Sequence, residues 1–240
     1  MALPKLETPT YETIIPSTGQ PIEYRPFLVK EEKILMMAQE SRDPAQAINA
    51  LKRIIKSCTF DKVDPNALTT YDAEFLFLQL RIKSVGETAD FQLPCEGCQQ
   101  LQDVKVDLTS VEVQYPKEKP ETNIKLNETV GITLKSLTLN DAIGMKPEEM
   151  DDISAMVAVV IDTIYDEDNV YKASDCSNKE LKEFVDQLSH SQLEKIQAFL
   201  VSQPAIEKDV TFGCTNKPKD KDCSGCKTTV TLKGLADFFA

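Results

Sequence analysis

The chain has 240 residues, 41% of them hydrophobic, and a formal net charge of −12. The apolar share supports a packed core and argues against wholesale disorder, while the acidic balance disfavours nucleic-acid backbones and anionic membranes as partners. No stretch reaches the run of about 18 apolar residues that a membrane-spanning helix needs, and the start, MALPKLETPTYETIIPSTG, lacks the apolar centre of a secretory signal, so a cytosolic chain is expected.

In chain order, residues 1–28 form an extended N-terminal arm. Pro4, Pro9, Pro16, Pro21 and Pro26 recur, and two short strands flank a turn at Ser17-Thr18-Gly19. Residues 29–87 form a helical part. A helix over 29–42 ends before Pro44, and a second runs from about Ala45 to Cys58 with Ile48, Leu51, Ile54, Ile55 and Cys58 on its apolar face. Thr70 opens a third, with Asp72 and Glu74 in its first turn and Tyr71, Phe75, Leu78, Ile82 and Val85 at helical spacing. Phe75-Leu76-Phe77-Leu78 also fits a buried strand, but length and capping favour the helix. Residues 88–115 switch to period two, as Val104, Val106 and Leu108 alternate with charged residues.

Residues 116–208 read as a charged Pro-rich linker, a hairpin turning near Asn127-Glu128, and a helical insertion. The spacing of Ile153, Met156, Val157, Val160, Ile161 and Ile164 predicts a helix over 147–165. The acidic runs 148–152 and 166–168 then lie at its ends, where the second opposes the helix dipole. Ser177 with Glu180, and Ser189 with Gln192, mark two further helix starts. Residues 209–240 carry strands over 209–214 and 227–232, then GLADFFA, whose Leu235, Phe238 and Phe239 could hook into a partner. The expected class is α+β: helices packed with short antiparallel strands.

Seven cysteines stand at 58, 95, 98, 176, 214, 223 and 226. An odd number in a reducing compartment argues against a disulfide framework. Cys95-Glu96-Gly97-Cys98 and Cys223-Ser224-Gly225-Cys226 are knuckles: two intervening residues let both sulfurs point inward, and glycine eases the turn. Two knuckles on hairpins gather four thiolates around one zinc ion. The expected ligands are therefore Cys95, Cys98, Cys223 and Cys226, in a composite zinc ribbon built from two sequence-distant segments. Cys214 is the alternative to Cys223, because it follows VTFG much as Cys95 follows FQLP. Such a zinc is structural, with every position taken. Cys58 belongs to a helix's apolar face and Cys176 lies beside a helix cap, so neither is expected as a ligand.

Other chemistry is weaker. His190 is the only histidine and stands in the first turn of a helix. DEDN lacks the length and central glycine of a calcium loop. Lys217, Lys219, Lys221 and Lys227 surround the second knuckle, which keeps a nucleic-acid-binding zinc ribbon as the alternative, although Asp220 and Asp222 interleave. A metalloenzyme with an incomplete cysteine–zinc site is a third class.

PKLETPTYETIIPSTGQPIEYRPFLVKEEKILMMAQES, LTTYDAEFLFLQLRIKSVGE with its following knuckle, and TVTLKGLADFF together resemble a family of baseplate hub proteins of T-even-like contractile-tailed bacteriophages. The resemblance implies a non-enzymatic role, as a hub subunit or a factor that assembles the hub. It also implies other hub and tail proteins as partners, with no nucleic acid, membrane or small-molecule substrate, and a location in the virion baseplate or the infected host's cytoplasm. The family's knuckle carries onto Cys95 and Cys98, while the 214–223 segment departs from a plain second knuckle.

Overall fold

The computed structural model describes residues 6–41, 43–144, 152–215 and 226–239. Strands β1 (Tyr11–Ile14) and β2 (Pro21–Tyr24) pair antiparallel around a turn that uses Gly19 at φ 69°. This hairpin packs on the chain itself: Ile15, Ile22 and Tyr24 are buried in a first core with helices α2 (Pro44–Cys58) and α3 (Thr70–Ser84). Helix α1 (Val29–Ser41) lies against α2. Asp43 caps α2, its carboxylate accepting from the Ala45 amide at 3.0 Å, with Pro44 in the first turn.

Helix α3 is the central element. Its N-cap is Thr69, one residue before the expected Thr70, and Thr69 with Asp72 forms a capping box. Asp72 also accepts from the Ser17 amide at 2.8 Å, which ties the first hairpin's turn to the start of α3. Ala73, Leu76, Phe77 and Leu80 face the first core, and Leu78 and Ile82 face another. A helix buried on two sides loses its single apolar stripe, which is why its sequence also fits a strand.

The chain then forms strands β3 (Thr88–Pro94) and β4 (Leu101–Asp107), a 3-10 turn at Leu108–Ser110, and β5 (Glu112–Gln114). Strands β6 (Asn123–Lys125) and β7 (Gly131–Leu134) enclose the expected turn, where Asn127 Oδ1 accepts from the amides of Thr129 and Val130. Helix α4 (Leu139–Gly144) returns to the first core through Leu139.

The helix expected over 147–165 is corrected. Helix α5 spans Ile153–Val160, and the chain passes directly into strand β8 (Ile161–Tyr165), which pairs with β7 and with β9 (Val170–Lys172). The β-branched run Val159, Val160, Ile161, Thr163, Ile164 is compatible with either state, and pairing on both sides decides for the strand. The last helical carbonyl, Val160 O, accepts from Lys135 N at 2.8 Å. This also removes the dipole conflict. Residues 166–168 stand at a hairpin turn, where Asp166 accepts from the amides of Asp168 and Asn169. At the other end Asp152 caps α5 through the Ser154 amide, and the remainder of that acidic run lies outside the described residues.

Helices α6 (Asn178–Val185) and α7 (His190–Val201) start where the two sequence signatures place them. With the sheet β6-β7-β8-β9 and α5 they enclose a second core around Ile132, Val157, Ile161 and Ile196. The third core is built by α3, the β3–β4 hairpin, a sheet in the order β11-β10-β5, and α8 (Gly234–Phe239), where β10 is Ala205–Gly213 and β11 is Lys227–Lys233. Phe238, expected in an apolar hook for a partner, is 2% exposed in this core, edge-on to Phe91. Every strand pairing is antiparallel, so the mixed architecture of helices and small antiparallel sheets is as expected.

Candidate metal centre

The β3–β4 and β10–β11 hairpins present their tips to each other. Cys95 and Cys214 are each the first residue after a strand, and Cys98 and Cys226 each precede the strand that returns. In the first tip Cys95 N donates to Gln100 O at 3.0 Å and Gln99 N to Cys95 O at 2.7 Å. The left-handed step falls at Gln99, φ 61°, whereas glycine was expected to ease this turn. In the second tip Cys214 N donates to Cys226 O at 3.0 Å.

The sulfurs meet across the hairpins. Cys95 Sγ is 3.3 Å from Cys226 Sγ, and Cys98 Sγ is 3.7 Å from Cys214 Sγ. The sulfurs of Cys95, Cys98 and Cys214 all lie within 4.8 Å of one another. A disulfide holds its sulfurs about 2.05 Å apart, so these contacts are not disulfides. Zn–S bonds of about 2.3 Å in a tetrahedron set sulfur pairs about 3.8 Å apart. The mutual spacing of Cys95, Cys98 and Cys214, with Cys226 against Cys95, and the all-sulfur donor set fit a thiophilic divalent metal. Cys95 and Cys214 are buried, and Cys98 and Cys226 half-buried.

Two polar side chains complete the arrangement. Thr228 is the first inward position of β11, on the face that also carries Val230 and Leu232. Its hydroxyl accepts from the Glu96 amide at 3.3 Å and donates toward Cys95 Sγ at 3.6 Å. Gln102 is the first inward position of β4, on the face of Val104 and Val106, and its Oε1 accepts from both the amide and the hydroxyl of Thr215, at 3.1 and 3.0 Å. Each hairpin thus sends one polar residue to the other's tip, an approximate two-fold relation that matches the parallel between FQLP before Cys95 and VTFG before Cys214. Hydrogen bonds from Thr228 and from the Cys98 amide hold the Cys95 thiol down at about 5, well below its ordinary value. Neither Thr228 nor Gln102 is signalled by a motif. The available sign is a polar side chain at an inward position of an alternating strand beside a cysteine.

Of the expected ligands, Cys95, Cys98 and Cys226 are brought together, and Cys214 stands with them. Cys223 lies outside the described residues, as do Lys217, Lys219 and Lys221. Cys58 is fully buried in the first core and burial pushes its thiol up to about 11, while Cys176 packs against the second core. His190 is exposed, its Nε2 3.4 Å from Glu194.

A family model described as T4 bacteriophage base plate protein matches residues 8–240. The chain belongs to the T4 baseplate protein family. No curated protein and no solved structure matches it. The match takes in both hairpin tips and the whole second core, so the cysteine centre lies within the region shared with this baseplate family. A baseplate protein is a structural component of the phage tail, in contact with other tail proteins. No helix among the described residues is long and apolar enough to cross a membrane.

Proposed function

We propose that this baseplate protein is a non-catalytic subunit or assembly factor of the baseplate hub, acting through protein–protein contacts and held in shape by a structural zinc. The carrying observation is the match to the baseplate family over residues 8–240. The cysteine centre supports the structural role: four sulfurs from two hairpins would fill a tetrahedral zinc, leaving no position for substrate or activated water. When bound, the ion would supply cross-linking rather than Lewis-acid chemistry. The partners are other hub and tail proteins, reached in the infected cell or retained in the virion. A charge of −12 favours protein partners over nucleic acid.

The test is to image phage particles produced with and without this protein, and to probe purified tails for it. Loss should give particles without a completed hub, and retention in purified tails assigns a resident subunit over a transient factor. Normal hubs in its absence would refute the reading. Salt-dependent retention on a heparin column at pH 7 would instead favour the nucleic-acid-binding alternative.

A further inference from the structure

We propose that the outer edge of β9 and the apolar groove beside it receive an extended strand of another tail protein, one that turns large apolar side chains into the groove and carries basic residues between them. This deepens the reading that the chain acts through contacts with tail proteins, and rests on it. β9 closes one side of the sheet β6-β7-β8-β9, and among the described residues no strand pairs with its outer edge. Val170 is 69% exposed and Tyr171 48%. Edge strands are ordinarily blunted by charge or cover, and these two side chains supply neither. Asp166 N donates to Asn169 O at 3.0 Å across the hairpin turn, and Tyr165 pairs next with Val170. Bonded and non-bonded pairs alternate along an antiparallel ladder, so Val170 and Lys172 turn their N–H and C=O groups away from β8. Those are the groups that an added strand pairs with.

The groove is a second, independent observation. It has a volume of about 360 Å³ and is lined chiefly by Val130, Ile164, Tyr171, Cys176, Leu181 and Phe184. Tyr171 stands opposite Ile164 in the ladder, so the two share the face that packs on the second core, and the groove lies between that face and α6. Alternate side chains of a strand added to β9 would enter it. Charge narrows the occupant. Asp166 and Glu180 also line the groove, and Glu167 and Asp168 stand exposed at the adjoining turn. Among the described residues no basic side chain lines it, and Lys172, opposite Thr163, lies on the other face of the sheet. A second copy of this chain, itself carrying −12, would be repelled here, whereas a basic strand is attracted.

The test uses the full chain and a labelled synthetic peptide, Lys-Val-Lys-Phe-Lys-Val-Lys, with binding read by fluorescence anisotropy. The controls are the same residues in block order, Val-Val-Phe-Lys-Lys-Lys-Lys, and the acidic analogue Glu-Val-Glu-Phe-Glu-Val-Glu. The alternating basic peptide should bind about 10-fold more tightly than either. Val170→Pro removes one outward N–H without touching the bonds to β8, and Tyr171→Lys sets a cation at the groove. Each should weaken binding about 10-fold while melting within a few degrees of the unmodified protein. If Val170→Pro fails to fold, Tyr171→Lys decides alone. Equal binding of the alternating and block-ordered peptides would mean attraction to an acidic surface only and would overturn the proposal, as would binding that the folded variants leave unchanged. A dimer of the chain in sedimentation that Val170→Pro dissociates would give the edge to a second copy and overturn it too. Hubs lost on removal of the protein, with no peptide bound, would refute this surface and leave the proposed function standing.

Discussion

The second core and the paired hairpin tips solve the same problem in opposite ways. Around Ile132, Val157, Ile161 and Ile196 the chain wraps a four-stranded sheet with three helices, and eleven buried apolar residues hold it. At the tips there is a two-stranded sheet facing the end of another hairpin, and among the described residues the buried cluster between them is made of cysteines, flanked by Thr228 and Gln102. Two-stranded ribbons are marginal in water. A metal held by these cysteines, as proposed, would substitute for the missing apolar surface and join segments separated by the entire second core in sequence. On the proposed reading, one chain combines a module that packs itself with a seam that depends on a bound ion.

The comparison can be broken by mutation, starting where the effect is largest. Cys98→Ser, or removal of metal by a chelator, should destabilise the ribbon by several kcal/mol, since structural zinc contributes ~10–16 kcal/mol of apparent binding energy. Calorimetry should show loss of an early transition while the second core's transition persists. Ile161→Ala is the converse. It opens a cavity at a fully buried site and should cost about 2–5 kcal/mol, lowering the second core's melting while zinc content stays unchanged.

Acid tests a third region. Arg25 and Glu31 form a buried ion pair at 2.9 Å beneath the first hairpin. Burial alone would raise the Glu31 carboxyl, but hydrogen bonds from Arg25, the Leu28 amide and Ser57 hold it at about 2, below the ordinary 4.5. A carboxyl depressed by folding stabilises the protein above pH 4.5 and loses that contribution as pH falls toward 2. The loss amounts to at most about 3 kcal/mol. Glu31→Gln should flatten this part of the stability–pH curve, read by urea unfolding at successive pH values. A smaller effect is expected at Gly131, which faces Tyr165 across the β7–β8 pair. A methyl there would meet the Tyr165 ring, so Gly131→Ala should cost about 1–3 kcal/mol in thermal melts without altering metal content.

Local signals were legible in the sequence where the cause is local. The capping box at Ser177 and the Asn127 turn depend on residues a few positions apart, and both stand where they are expected. The first knuckle is equally local, and Cys95 and Cys98 lie together as a result. The β8 strand was not legible, because Ile161 and Ile164 satisfy helical spacing and only the flanking strands β7 and β9 decide the outcome. Arg25 with Glu31, and Gln102 with Thr215, pair polar groups through space across elements, and no spacing rule announces them. Cys214 was half legible. Its place after VTFG suggested a ligand while the tighter Cys223–Cys226 pattern competed with it, and its sulfur stands beside those of Cys95 and Cys98 because two hairpins meet across the fold.

The most direct test of the central claim is amide hydrogen exchange on the zinc-loaded full chain before and after chelation, resolved by segment. The account predicts that amides in 88–107 and 205–233 lose protection when the metal is removed, while those in 123–134 and 153–201 keep it. Unchanged protection at the hairpin tips after the ion has left, or an equal loss throughout the second core, would contradict it.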